Sequence, residues 1–190
     1  MEKAIKEVRL RDLRASDNEG KMIVEGYASV FDEVTDLGWC REKVSRSAFE
    51  NCDMSDVCMK YNHGDSKFIM ARTRNGSLKL DVDTHGLKVS AELIDTQDNR
   101  DLYKMIQERL LEKMSFAFTV RIAEWDYETD LRDIKEIDKL YDVSVVDVPA
   151  YEGTEVYARS KEDYEKEKEA YKNRKQLELE KEKLKLKASI

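Results

Sequence analysis

The sequence predicts an α+β chain with many strands and few helices. Three features point to this. Several runs between residues 8 and 148 alternate apolar and polar side chains. One run, from Asp98 to Lys113, spaces its apolar residues as a helix does. From Ser160 to Ile190 the chain is rich in Lys, Glu and Leu and has no Gly or Pro.

The elements follow in order. Val8-Arg-Leu-Arg11 alternates, and Lys21 to Phe31 reads as a strand broken at Gly26. A short helix is expected around Ser45 to Asn51. Val57-Cys-Met-Lys-Tyr61 is strand-like and ends at Asn62-His63-Gly64. Leu78 to Val82 and Leu87 to Leu93 both alternate, and Thr84-His85-Gly86 between them signals a turn, so they form a hairpin. In the helical run, Leu102, Met105, Ile106 and Leu110 share a face. Asp98 and Asp101 stand at its start and Arg109 and Lys113 at its end, as the helix dipole favours. Met114 to Ile122 is a strand with Met114, Phe116, Phe118, Val120 and Ile122 on one face. Ser115, Ala117, Thr119 and Arg121 occupy the other. A last strand from Leu140 to Val148 stops at Pro149, the only proline.

At 190 residues and 22.2 kDa the chain is one domain with an appendage. The tail from 160 to 190 carries ten basic and eight acidic residues, which leaves residues 1–159 at net −9. We therefore divide the chain into a 1–159 domain and a 160–190 helical tail outside the core. Tyr164, Tyr171, Leu177 and Leu184 approximate a seven-residue seam. Such a stripe suits either a solvated helix or a partner-docking segment. A net charge of −7 and a pI near 5.1 disfavour a duplex DNA binder, so no nucleic-acid partner is expected. No apolar run is long enough to span a membrane, and no apolar h-region follows the N-terminus. Cys40, Cys52 and Cys58 fit no zinc spacing and read as reduced thiols. A soluble intracellular protein with no metal and no cofactor is expected.

Only His63 and His85 can supply an imidazole. His85 sits in a hairpin turn and reads as exposed and idle. His63 follows a strand, where scaffolds commonly hold functional groups, although a loop histidine in a structural role fits as well. Ser115 has small neighbours on its own face, which leaves room for a peptide backbone. Alternation alone reads it as a Ser on a solvated sheet face, and no G-x-S-x-G elbow surrounds it.

Taken together, ordered segments across residues 20–158 resemble the prohead maturation serine proteases of tailed bacteriophages, relatives in fold of the herpesvirus assemblins. These segments are Glu25-Gly-Tyr-Ala-Ser-Val-Phe31, Arg41 to Phe49, Asn62-His63, Phe68-Ile-Met-Ala-Arg-Thr73, Gly86-Leu87, Met114-Ser-Phe-Ala-Phe118 and Tyr141 to Ala150. Ser47, Ala71 and Ala117 stand where the family pattern has Gly, and all three are small. The resemblance implies a mostly antiparallel, assemblin-like β-barrel with flanking helices. It implies Ser115 as nucleophile and His63 as general base. His85 does not match the second histidine of assemblins, so Asp142 is the tentative third member, with Asp65 and Asp147 as alternatives and a surface carboxylate as the bland reading of Asp142. Arg72 or Arg121 are weaker electrostatic candidates.

The implied activity is a serine endopeptidase that cleaves scaffold or coat-protein extensions and itself. Its partners would be the major capsid protein with its scaffolding segment, and its own copies, inside the assembling prohead in the host cytoplasm. The tail would dock on scaffold or be removed by self-cleavage. Two rivals stay open: a non-enzymatic capsid assembly or scaffold protein, and a cysteine enzyme using Cys58 or Cys52 with His63, in which Cys58 more readily reads as core.

Overall fold

Period-two patterning becomes a ten-stranded sheet. The structure, a computed structural model, describes residues 7–18, 20–64, 68–147 and 155–188. Pro149, expected to end the last strand, and Asp65 lie outside the described residues. The strands are β1 (Glu7–Asn18), β2 (Lys21–Val30), β3 (Thr35–Asp36), β4 (Arg41–Val44), β5 (Cys58–Tyr61), β6 (Ile69–Arg72), β7 (Leu78–Val82), β8 (Gly86–Glu92), β9 (Lys113–Asp126) and β10 (Leu131–Val146). Helix α1 spans Gln97–Gln107 and α2 spans Glu155–Ala188.

The strand order is β3-β4-β10-β9-β1-β2-β8-β7, with β5 and β6 branching from β10. β10 is long enough to hold two short parallel neighbours, β4 along Leu131–Ile134 and β5 along Asp142–Val145. β1 divides its partners: Glu7–Asp12 pair with β9 and Leu13–Asn18 with β2, which turns the sheet onto itself. The fold class is α+β and mostly β, and the sheet does not close into the expected barrel, closed or nearly closed. Among the described residues the ladder is an open path, and the chain just after β2 meets the end of β4 through the isolated bridge Phe31–Val44 and the Asp32 N–H bond to Val44 C=O at 2.9 Å. A barrel needs a continuous ladder at its seam, and one bridge does not supply it.

The core lies inside this curve. Met114, Phe116 and Phe118 of β9 meet Ile137, Leu140, Val143 and Val145 of β10, and Leu102 and Ile106 of α1 join the same cluster. Phe116 and Phe118 stack at 4.6 Å between centroids. Each such side chain, fully buried, contributes about 1.5–3 kcal/mol. Val120 is only partly buried and Ile122 is 47% exposed, because the β9–β10 hairpin runs out beyond the core.

Local signals account for the remaining departures. Ser45 to Asn51 makes successive i→i+3 turns instead of a helix, such as Ala48 N–H to Ser45 C=O at 3.0 Å. α1 begins on the Thr96 cap, whose hydroxyl accepts from Asn99 N–H at 3.3 Å, and stops at Gln107 instead of reaching Lys113. Arg109 takes a left-handed φ of 58°. Around it Leu110 N–H bonds Met105 C=O at 2.9 Å and Arg109 N–H bonds Ile106 C=O at 3.1 Å. These two bonds are a Schellman stop without its usual glycine. β2 runs through Gly26 and bulges between Tyr27 and Ser29. Gly86 packs against that bulge so closely that a Cβ there would lie 1.9 Å from Ser29 C=O.

α2 starts five residues before the expected boundary at 160 and docks by its first half. Tyr164 is 5% exposed and sits 4.8 Å from the Trp125 ring and 5.2 Å from Trp39. Tyr171 lies 5.3 Å from Tyr127. Tyr164 and Lys168 both donate to Asp130, and Lys175 pairs with Glu128. Leu177 and Leu184, later on the same seam, are exposed. Among the described residues no helix is long and apolar enough to cross a membrane.

Candidate active site

The site forms on the face of β5, β9 and β10 that points away from the core, and one bulge decides what that face displays. β10 slips against β9 between Leu140 and Asp142. Strict alternation would put those two side chains together on one face. With Tyr141 as the extra residue, Leu140 enters the core and Asp142 turns to the opposite face, followed there by Ser144. Directly paired residues share a face, so the ladders place Cys58, Asp142 and Ala117 in one cross-strand row and Lys60, Ser144 and Ser115 in the next.

This face is not solvated, as alternation had suggested for Ser115. Ser115, Ala117, Asp142 and Ser144 are all fully buried. Period two here separates apolar side chains from small and polar ones, and both faces are closed. Cys58 is buried but lies outside the main core cluster, in the row of Asp142 and not among the apolar neighbours with which it alternates in sequence.

His63 reaches this face through a tight reversal. After β5, Asn62 and His63 both adopt φ of 51°, a left-handed conformation that Asn and His tolerate better than most residues. Asn62 N–H still bonds Val145 C=O at 2.9 Å, and its side-chain oxygen accepts from Asp147 N–H at 3.1 Å, so the reversal is pinned to β10. Gly64 N–H then bonds Tyr61 C=O at 3.1 Å. The imidazole swings back, and its Nδ1 lies 2.5 Å from Asp142 Oδ1.

Asp142 Oδ1 also accepts from the Ser144 hydroxyl at 2.9 Å, and the Lys60 ammonium is 4.0 Å from Oδ2. A buried carboxylate needs such donors and a counter-charge. Because the carboxylate accepts, Nδ1 carries a proton, and in the neutral imidazole Nε2 then keeps its lone pair. Nε2 of His63 and Oγ of Ser115 are both buried, and neither makes a hydrogen bond.

The other sequence candidates are engaged elsewhere. His85 is exposed, packed edge-on against Tyr27 at 4.6 Å. Asp147 accepts from the Tyr61 hydroxyl at 3.0 Å. Arg72 is held by Asp56 through two bonds of 2.6 and 2.8 Å, and Arg121 by Glu136 and Asp138. Burial pushes the Cys52 thiol up to about 11, which disfavours the thiolate a cysteine nucleophile needs. Ser144 and Lys60 escaped sequence reasoning. Ser144 is marked only by its i,i+2 spacing from Asp142, and Lys60 only by its place in the strand before His63.

A family model for the caudovirus prohead serine protease matches residues 9–169. The chain belongs to the caudovirus prohead serine protease family. The prohead protease of Escherichia phage T5 is 25% identical to this chain over 142 residues. That match covers 74% of this chain and 64% of the T5 protein, so the chain spans under two thirds of its relative. No solved structure matches. The family match takes in β9, β10 and the β5–His63 reversal, the segments that build the buried face.

Proposed function

We propose that this chain is a serine endopeptidase that matures proheads by cleaving scaffold or coat-protein extensions and itself. Ser115 is the nucleophile, His63 the general base and Asp142 the group that holds the imidazole. One observation carries this: a fully buried carboxylate bonded to Nδ1 of His63, with Ser115 on the same sheet face directly opposite Ser144. Nε2 takes the Ser115 proton as Oγ attacks the peptide carbonyl, then gives it to the leaving amine, and water repeats the cycle on the acyl-enzyme. Nε2 and Oγ are unbonded in this structure, and such bonds commonly tighten only around substrate.

Residues 1–159 carry the chemistry and the tail from 160 engages scaffold or is itself removed. The major capsid protein, its scaffolding segment and further copies of the chain are the partners, met inside the prohead in the host cytoplasm. An assemblin-like barrel remains part of this proposal, supported by strand β1, which is shared between β9 and β2 and turns the sheet onto itself. A non-enzymatic assembly or scaffold protein is the second reading, and full burial of Ser115 favours it.

Intact mass of the chain co-expressed with its coat and scaffold partners, beside Ser115→Ala, tests the choice. Discrete truncations that vanish in the variant establish the protease and locate its cleavage junctions. Full-length masses in both samples, with shells assembled, select the scaffold.

A further inference from the structure

Asp142 Oδ1 receives two hydrogen bonds, from His63 Nδ1 at 2.5 Å and from the Ser144 hydroxyl at 2.9 Å. Ser144 is fully buried, and its hydroxyl is committed to the carboxylate on its own strand. In the β9–β10 ladder it stands directly opposite Ser115. A carboxylate at the end of an Asp side chain rotates about χ2 in a broad well, so a single imidazole bond does not fix its plane. A second donor on the same oxygen, added to the Lys60 ammonium 4.0 Å from Oδ2, restricts that rotation.

We propose that Ser144 is a positioning residue for the reaction: its hydroxyl locks the Asp142 carboxylate, and through it the His63 ring, opposite the nucleophile. This rests on Ser115, His63 and Asp142 being the protease machinery. Ser144 touches neither substrate nor reacting atom. Loss of its hydroxyl leaves substrate binding alone and widens the spread of imidazole orientations, which lowers the fraction in which Nε2 can take the Ser115 proton.

The full chain is compared as wild type, Ser144→Ala, Ser144→Thr and Ser29→Ala. Ser29 is another fully buried β-strand serine, and its hydroxyl has no hydrogen-bond partner, so its variant reports what loss of a buried hydroxyl does by itself. Two readouts are taken. Single-site kinetics use a peptide spanning a cleavage junction located by intact mass. Proton NMR observes the far-downfield Nδ1–H of His63, assigned against a His63→Gln sample in a chain with only two histidines.

Ser144→Ala lowers kcat by about tenfold at unchanged KM and shifts or broadens the Nδ1–H resonance. Ser144→Thr restores kcat, and Ser29→Ala changes neither readout. Wild-type kcat and an unmoved resonance in Ser144→Ala overturn the proposal. Equal losses in Ser144→Ala and Ser144→Thr overturn it too, because packing then explains both. If the wild-type chain cleaves nothing, the protease reading fails, and the resonance alone decides whether Ser144 orders the pair.

Discussion

His63 Nδ1 lies 2.5 Å from Asp142 Oδ1, although the residue paired with Asp142 in the ladder is Cys58. A straight extension of β5 would carry residue 63 roughly 16 Å along the strand from that pairing, at ~3.3 Å per residue. The left-handed pair Asn62-His63 cancels that distance, and the bulge at Tyr141 presents the carboxylate to meet it. Two irregularities, each unfavourable alone, converge on one hydrogen bond.

Replacing the carboxylate should expose what this bond does. Asp142→Asn keeps the volume but offers an amide N–H as readily as an oxygen, so the imidazole loses its fixed tautomer. Peptide cleavage should fall on the order of 10³-fold, with the fold retained by circular dichroism. Unaltered kcat would show that another group or water orients His63.

Ser115→Ala should separate activity from stability. The hydroxyl is buried without a hydrogen-bond partner, so its removal relieves an unsatisfied polar group. Urea unfolding should show equal or slightly greater stability, by up to about 1 kcal/mol, while self-processing is lost. Marked destabilisation would reveal a structural duty for the hydroxyl.

Gly86→Ala and Gly76→Ala make an instructive pair. At Gly86 the new methyl would meet Ser29 C=O at 1.9 Å, so backbone has to move, at a cost of roughly 2–4 kcal/mol. At Gly76, with φ of +76°, nothing lies within 4 Å, and the strain of a left-handed Ala is about 1 kcal/mol. Thermal melts should rank them in that order, and equal losses would refute the steric account.

Helix docking should be visible in tryptophan fluorescence, because both tryptophans, Trp39 and Trp125, contact Tyr164. Tyr164→Ala should red-shift the emission and lower stability by about 3 kcal/mol. An unchanged spectrum would mean that the ring does not hold α2 in solution.

The same dock should be acid-sensitive. Hydrogen bonds from Lys168, then from Tyr164, hold the Asp130 carboxyl below its ordinary value of 3.8. A carboxyl depressed on folding gives its stabilisation in full above that ordinary value and loses it as pH falls through the lower, folded one. Emission should stay constant from pH 7 to about 4, then red-shift on further acidification. Asp130→Asn should remove that acid limb. A titration of the same amplitude in Asp130→Asn would assign the transition elsewhere.

Much of this molecule was legible in its sequence. The β7–β8 hairpin, the apolar face Met114-Phe116-Phe118 and the Leu102–Ile106 side of α1 follow from periodicity, because burial there repeats with the geometry of the backbone, whereas Met105 and Leu110, expected on the same helical face, are exposed. The ordered segments around His63 and Ser115 carry the resemblance to the family in the sequence itself. The first half of β10, the early stop of α1 and the turns at Ser45–Asn51 are not legible there. Bulges break the period of β10, a left-handed Arg109 without a glycine ends α1, and the Ser45–Asn51 segment closes in i→i+3 turns too short to show a helical period.

By itself, then, the sequence determined which strands and helices are available and which two side chains, His63 and Ser115, invite a chemical reading. Only the tertiary structure decided that Asp142, and neither Asp147 nor a second histidine, binds the imidazole. It also decided that Ser115 is buried and that Ser144 and Lys60 stand beside the carboxylate. The physical reason is that alternation fixes side-chain direction only along an unbroken strand. A single inserted residue at Tyr141 reverses it, and which strand lies alongside is set by long-range pairing that no local pattern encodes.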